Sequence, residues 1–157
     1  MLILGVDPGV NGALCWVEYP QKEVLKISRF PVIPVPGNSV EKNRLDIQEL
    51  IILLGTSLAP NQIVLEYPNI IGGNMPIAQV LFFCTLGKIE ACLTGLAPIT
   101  RVNPLEWKKP YNLIKKSKGE STKTAKQIFN GLVINNADIA EACLMTHWFF
   151  NYYTGEK

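Results

Sequence analysis

Met1-Leu2-Ile3-Leu4-Gly5-Val6-Asp7-Pro8-Gly9 opens the chain. Met1 to Val6 is a short apolar run, read as a buried strand, and Pro8-Gly9 is turn chemistry that ends it. Asp before Pro-Gly is common in turns, so Asp7 alone carries little. Its position carries more, because it ends a strand that should be central to a sheet.

Working outward, Ala13 to Tyr19 reads as a second strand, and Val24, Leu25, Ile27 and Phe30 mark a third. Three consecutive strands with short connections suit an antiparallel meander. Pro31 to Gly37 holds three prolines and a glycine and reads as an irregular connection. In Asp46 to Leu54, Ile47, Leu50, Ile51 and Leu54 recur at helical spacing. Asp46 and Glu49 have capping-box spacing there, and Gly55 is placed to stop the helix. Gln62 to Tyr67 is an apolar strand with one acid, Glu66. After the Gly-containing loop Asn69 to Asn74, a long helix runs from about Pro76 to Leu93, with Gly87 inside it as a sign of close packing. Ala97 to Val102 is the fifth strand. Two helical pieces follow Pro104, split near Lys116–Glu120. The last helix runs from Ala137 to Tyr153, capped by Asn135 or Asn136. Strands separated by helices pair in parallel, so the expected fold is α/β: a mixed five-stranded sheet flanked by helices.

The bulk numbers agree. A chain of 157 residues, 48% hydrophobic and only 18% charged, fits one compact domain over 1–157. The net charge of +2 hides an asymmetry. Arg101 to Lys126 holds eight basic residues and two acids, a surplus of six, which leaves the rest of the chain net acidic. The four cysteines, Cys15, Cys84, Cys92 and Cys143, lack C-x-x-C spacing and sit among apolar residues. They read as reduced, buried thiols of an intracellular protein. His147 is the sole histidine, which excludes His-rich metal sites and argues against a Ser-His triad. It reads as a packed or surface side chain. No secretory leader is visible, and no apolar run approaches the ~20 residues of a membrane helix. The expectation is a cytoplasmic protein with no membrane partner.

Four acids carry the chemistry. Asp7 and Glu66 end strands. Asp138 and Glu141, three apart, share a face of the last helix, which continues through Met145 and Trp148 onto the sheet. Acids in a first helical turn need no function, since the helix dipole favours them. A carboxylate on a buried strand, however, is costly unless paired or bound to a cation. If the first and fourth strands are neighbours and the last helix crosses their ends, all four acids converge. Their repulsion is relieved by hard divalent cations such as Mg²⁺, which favour oxygen ligands. Two ions roughly 4 Å apart can activate water and stabilise the leaving oxygen in phosphodiester cleavage.

The same residues carry a family pattern. Gly5 to Ala13 resembles the D-P-G-x-x-G-A opening of RuvC-type Holliday junction resolvases. Leu65-Glu66 resembles their second acidic motif. Asp138-Ile139-Ala140-Glu141-Ala142 resembles their terminal D-x-A-D-A motif, with glutamate for the second aspartate. Val102 to Lys109 is similar to the V-x-P-x-x-W-K-K segment of the phage-type branch, and Lys118, Ser121, Ala125 and Phe129 to its K-x-x-S-x-x-x-A-x-x-x-F helix. The motifs span nearly the whole chain in order.

The resemblance implies an RNase H-like fold, a homodimer, and symmetric nicking of four-way DNA junctions by a crossover junction endodeoxyribonuclease in recombination and repair. It makes Asp7, Glu66, Asp138 and Glu141 the catalytic acids and ligands of about two Mg²⁺ ions, with Mn²⁺ as a substitute. Glu141 keeps the charge but adds a methylene. Lys118 is a candidate to position or neutralise the scissile phosphate. Lys108, Lys109, Lys115, Lys116, Lys118 and Lys123 are candidate phosphate contacts, although exposed helix lysines are often merely solvated. Ile70 or Ile71 stands where cellular members carry an aromatic wedge and is a candidate to wedge between bases, although loop hydrophobics more often pack locally. The apolar residues of the Pro76–Leu93 helix occupy more than one face, which suits either a large core or a two-fold interface. The phage-type motifs imply a phage or prophage source. Rival readings are a same-fold nuclease acting on other branched DNA or RNA–DNA hybrids, and a non-catalytic junction-binding protein. A sugar-kinase-like phosphate binder would need a duplicated domain, for which the chain has no room.

Overall fold

A computed structural model describes residues 1–37, 41–68, 75–129 and 136–153. Its main sheet contains β1 (Leu2–Asp7), β2 (Ala13–Glu18), β3 (Glu23–Arg29), β6 (Gln62–Glu66) and β7 (Ile99–Val102). Between them lie the short strands β4 (Val32–Pro34) and β5 (Asn43–Leu45), and the helices α1 (Ile47–Gly55) and α2 (Ile77–Leu93). The chain continues through α3 (Pro104–Lys108), a 3₁₀ turn at Lys109–Tyr111, α4 (Lys118–Ile128) and α5 (Ala137–Trp148), ending in a π-helical turn at Phe149–Tyr153.

The sheet order is β3-β2-β1-β6-β7. The first three strands pair antiparallel, while β6 runs parallel to β1 and β7 parallel to β6. The mixed five-stranded sheet flanked by helices is therefore present, with β1 at its centre.

Side-chain alternation along the strands decides which helix each residue meets. Leu4, Val6, Ile63 and Leu65 pack with Leu50 and Leu54 of α1 and with Leu86, Ile89 and Leu93 of α2. Ile3, Cys15, Val17 and Val64 point the other way, into a core with Ala140, Cys143 and Leu144 of α5 and Ala125 of α4. Each fully buried aliphatic side chain contributes roughly 1.5–3 kcal/mol, so both layers are strongly held. Counting by twos, Asp7 follows Ile3 and Gly5, and Glu66 follows Val64. Both acids therefore belong to the face that α5 covers.

Gly5 makes that approach possible. A Cβ on Gly5 would lie 2.0 Å from the Ala142 carbonyl oxygen, so the α5 backbone rests directly on β1. Every residue of α5 from Ala140 to Trp148 is buried, because the helix lies between the sheet on one side and α4 with the 3₁₀ turn on the other. His147 is one of them. Its Nδ1 meets the Tyr111 hydroxyl at 2.7 Å, and burial, with Lys22 nearby, brings its pKa down to about 4. It is a packed histidine, as expected.

Four local expectations change. The Pro31–Gly37 stretch contains β4, paired with β5 in a small hairpin sheet; two-stranded edges tolerate proline, which concealed it. Asp46 does cap α1 by accepting from the Glu49 amide, but the Asp46 amide donates to the Pro31 carbonyl, so the capping box is only half made. Gly87 has no neighbour within 4 Å of an added Cβ among the described residues, rather than a close one. Cys15 and Cys143 are buried and Cys92 is partly so, but Cys84 is exposed on α2. Among the described residues, no helix is long and apolar enough to cross a membrane.

Candidate active site

Asp7 and Glu66 sit at the carboxyl ends of the parallel neighbours β1 and β6, where Val6 pairs with Leu65. Asp138 and Glu141 lie in the first two turns of α5. Asn136 fixes that start, its side-chain oxygen accepting from the amides of Asp138 (2.7 Å) and Ile139 (3.3 Å). Asp138 and Glu141 are 16% and 10% exposed at the side chain, so both are largely removed from water.

The four acids converge electrostatically on Asp7. Its pKa is pushed well above 3.8, first by burial and then by the negative charges of Glu66, Glu141 and Asp138, with Lys118 opposing. Burial also raises Glu66, against the lowering effect of its bond to Trp107. Among the described residues no hydrogen-bond donor reaches the Asp7 carboxylate.

The other three acids are bonded to the chain itself. The Trp107 indole Nε1 donates to Glu66 Oε2 at 2.8 Å. Glu141 accepts from Ser121 at Oε1 (2.9 Å) and pairs with Lys108 Nζ at Oε2 (3.0 Å). Asp138 pairs with Lys118 Nζ at 2.8 Å and, more distantly, with Arg29 at 3.4 Å. Arg29 also donates to the Asn11 carbonyl, tying the turn after β1 to the start of α5.

The donor set fits a hard divalent cation in kind: oxygen-only, four negative charges, and one carboxylate with no internal partner. In their present rotamers, no three acids among the described residues are grouped to hold one ion. Lys108 and Lys118 occupy oxygens that an ion would need.

Of the basic candidates, Lys108 and Lys118 are thus drawn to the acids. Lys109, Lys115, Lys116 and Lys123 are exposed on the 3₁₀ turn, the following loop and α4. Ile70 and Ile71 lie outside the described residues. Three contributors gained no role from sequence: Trp107, Ser121 and Arg29. Arg29 had a register signal, since Asp7 pairs with Ala13 and Ala13 with Arg29 across three strands. Trp107 and Ser121 stood within quoted motifs, but neither spacing nor periodicity reveals a contact across 41 or 20 residues.

No family model matches the chain, and no curated protein matches it. Among solved structures, the chain is similar to RuvC from Thermus thermophilus, at 16% identity over 98% of this chain and 97% of that one, with a TM-score of 0.63. It is also similar to T. thermophilus RuvC in complex with Holliday junction substrate, at 16% identity over 99% and 97%, with a TM-score of 0.68. The fold is therefore RuvC-like, of the RNase H-like class.

Proposed function

We propose that the chain is a single-domain, Mg²⁺-dependent endodeoxyribonuclease that resolves four-way DNA junctions by paired, symmetric nicks. The observation that carries this reading is Asp7. Its carboxylate is desolvated, repelled by Glu66, Glu141 and Asp138, and given no donor among the described residues, so a proton or a bound cation relieves its charge, and a hard divalent ion suits four oxygen-bearing acids. When bound, Mg²⁺ supplies the charge that activates water and stabilises the leaving oxygen, and Mn²⁺ can take its place. Asp7, Glu66, Asp138 and Glu141 are its proposed holders.

The chain's own residues do the rest. Lys118 is 75% exposed at the side chain while touching Asp138, so it can turn to the scissile phosphate without leaving the site. Lys109, Lys115, Lys116 and Lys123, all exposed, track the adjoining backbone by charge, while Lys108 stays paired with Glu141. That the T. thermophilus neighbour is in complex with Holliday junction substrate supports a junction as the DNA. Ile77 and Val80 of α2 are 66% and 44% exposed, which supports α2 as the two-fold contact of a homodimer with two sites. The phage-type motifs support an intracellular protein of phage or prophage origin, acting in recombination and repair.

One observation favours a second reading. The Lys108–Glu141 and Lys118–Asp138 pairs neutralise two acids internally, as a junction-binding protein without catalysis would. Substrate competition separates the readings. Four-way junction, linear duplex and RNA–DNA hybrid, mixed with the protein and Mg²⁺, should yield nicks chiefly in the junction. Faster cutting of the hybrid would move the assignment to another nuclease of this fold. Tight junction binding without any cleavage would favour the second reading.

A further inference from the structure

Trp107 touches two of the four acids' networks at once. Its side chain is fully buried (0% exposed), yet its one polar atom is not spent on backbone. The indole Nε1–H donates to Glu66 Oε2 at 2.8 Å. Its ring carries Lys108, whose Nζ lies 4.9 Å from the ring centroid while pairing with Glu141 at 3.0 Å.

The geometry follows from the chain path. Glu66 pairs with Val102 in the β6–β7 register, and the Tyr67 amide donates to the Val102 carbonyl. One residue later, Asn103 caps α3 through the Leu105 amide, with Pro104 in the first turn. This cap turns the chain back, so Trp107 lies over the end of β6. Consecutive residues of one short helix then reach acids on two different elements, β6 and α5.

We propose that Trp107 is the positioning residue of this site: its N–H fixes one oxygen of Glu66, and its ring fixes the ammonium that orients Glu141. Among the described residues no donor reaches Glu66 Oε1, so the indole selects which oxygen stays available for an ion. Groups that orient metal-binding carboxylates in this way affect metal affinity by about 10–100-fold. The inference rests on the metal-dependent reading of the site.

Two substitutions separate the two contacts. Trp107→Phe removes the N–H and keeps a ring beneath Lys108, whereas Trp107→Leu removes both. The chain has three tryptophans, so a ¹H–¹⁵N spectrum shows at most three indole cross-peaks, and Trp107→Phe identifies the one it deletes. Adding Mg²⁺ to the wild type should shift the Trp107 peak and leave Trp16 unmoved, since the Trp16 indole is bonded to the Leu58 carbonyl away from the site. Mn²⁺ affinity, read from the free-ion EPR signal, should fall about tenfold in both variants, since both lose the N–H to Glu66.

Unchanged Mn²⁺ affinity in Trp107→Phe, or a Trp107 peak indifferent to saturating Mg²⁺, overturns the assignment even if junctions are cut. A protein that binds no divalent ion overturns it as well. Conversely, if the peak moves and affinity falls but no DNA is nicked, the assignment stands and the nuclease reading fails.

Discussion

Gly5→Ala is a small change with a large expected effect. The added Cβ would stand 2.0 Å from the Ala142 carbonyl oxygen and 2.8 Å from Thr146 Cγ2, whereas real Cβ contacts stay beyond 3.0 Å. The deficit against the carbonyl is therefore at least 1.0 Å (3.0 minus 2.0), and backbone cannot swing aside as a side-chain tip can. Either α5 lifts or β1 recedes. Overpacking of this kind costs typically 1–3 kcal/mol, and a backbone clash belongs at about 3. With unfolding entropy of about 2.1 cal/mol/K per residue, a chain of this length should lose roughly 9 °C in Tm. The displacement also moves Asp138 and Glu141 away from Asp7 and Glu66. A misplacement of about 1 Å can cost on the order of 100-fold in rate. Differential scanning fluorimetry and single-turnover junction nicking, at a temperature where the variant is folded, read the two effects. A Gly5→Ala protein with wild-type Tm and wild-type nicking would refute the seating of α5 on β1.

In EDTA, Asp7→Asn should be more stable than the wild type at about pH 8, because a carboxyl whose folded pKa is raised contributes stability below its unfolded value that is lost as pH rises through the folded one. Urea midpoints across pH should show this gap closing toward about pH 3; a gap that widens on acidification contradicts the crowding of Asp7. Alanine at Lys109, Lys115, Lys116 or Lys123, all exposed, should each lower the slope of log affinity against log salt by about 1, with nicking at saturating DNA retained. Unchanged slopes would place the DNA elsewhere. Ile77→Asp or Val80→Asp should yield monomers by sedimentation velocity and uncouple the paired nicks, and a wild type that is already monomeric while cutting in pairs would exclude the α2 interface.

Much of this arrangement was legible in the chain. The apolar run closed by Asp7-Pro8-Gly9 marked the central strand, and Glu66 was legible as the end of a further strand, while the face it shares with Asp7 came only with the β1–β6 pairing. The i, i+3 spacing of Asp138 and Glu141 placed them together at the start of the last helix. These signals are local, and local geometry preserved them. What stayed hidden depends on three-dimensional proximity. Trp107 meets Glu66 only because the Asn103 cap folds α3 back over the end of β6. Ser121 meets Glu141 because α4 packs on α5. The β4–β5 hairpin was masked by its prolines, whose usual meaning is the absence of a strand. Gly87 misled for the opposite reason: among the described residues nothing approaches its face of α2, so the missing side chain makes room for none of them. The lysine pairing of Asp138 and Glu141 also had no sequence signature, because charge runs report composition and not partner.

The most direct test of the central claim uses an immobile four-way junction with each strand labelled in turn, incubated with wild type or Glu66→Gln in Mg²⁺ or in EDTA. Wild type in Mg²⁺ alone should give nicks at matching positions in two opposing strands, with junction binding retained by the variant and in EDTA. Nicking that persists in EDTA, or in Glu66→Gln, would contradict a carboxylate-held metal site, and binding without any nicks would contradict catalysis itself.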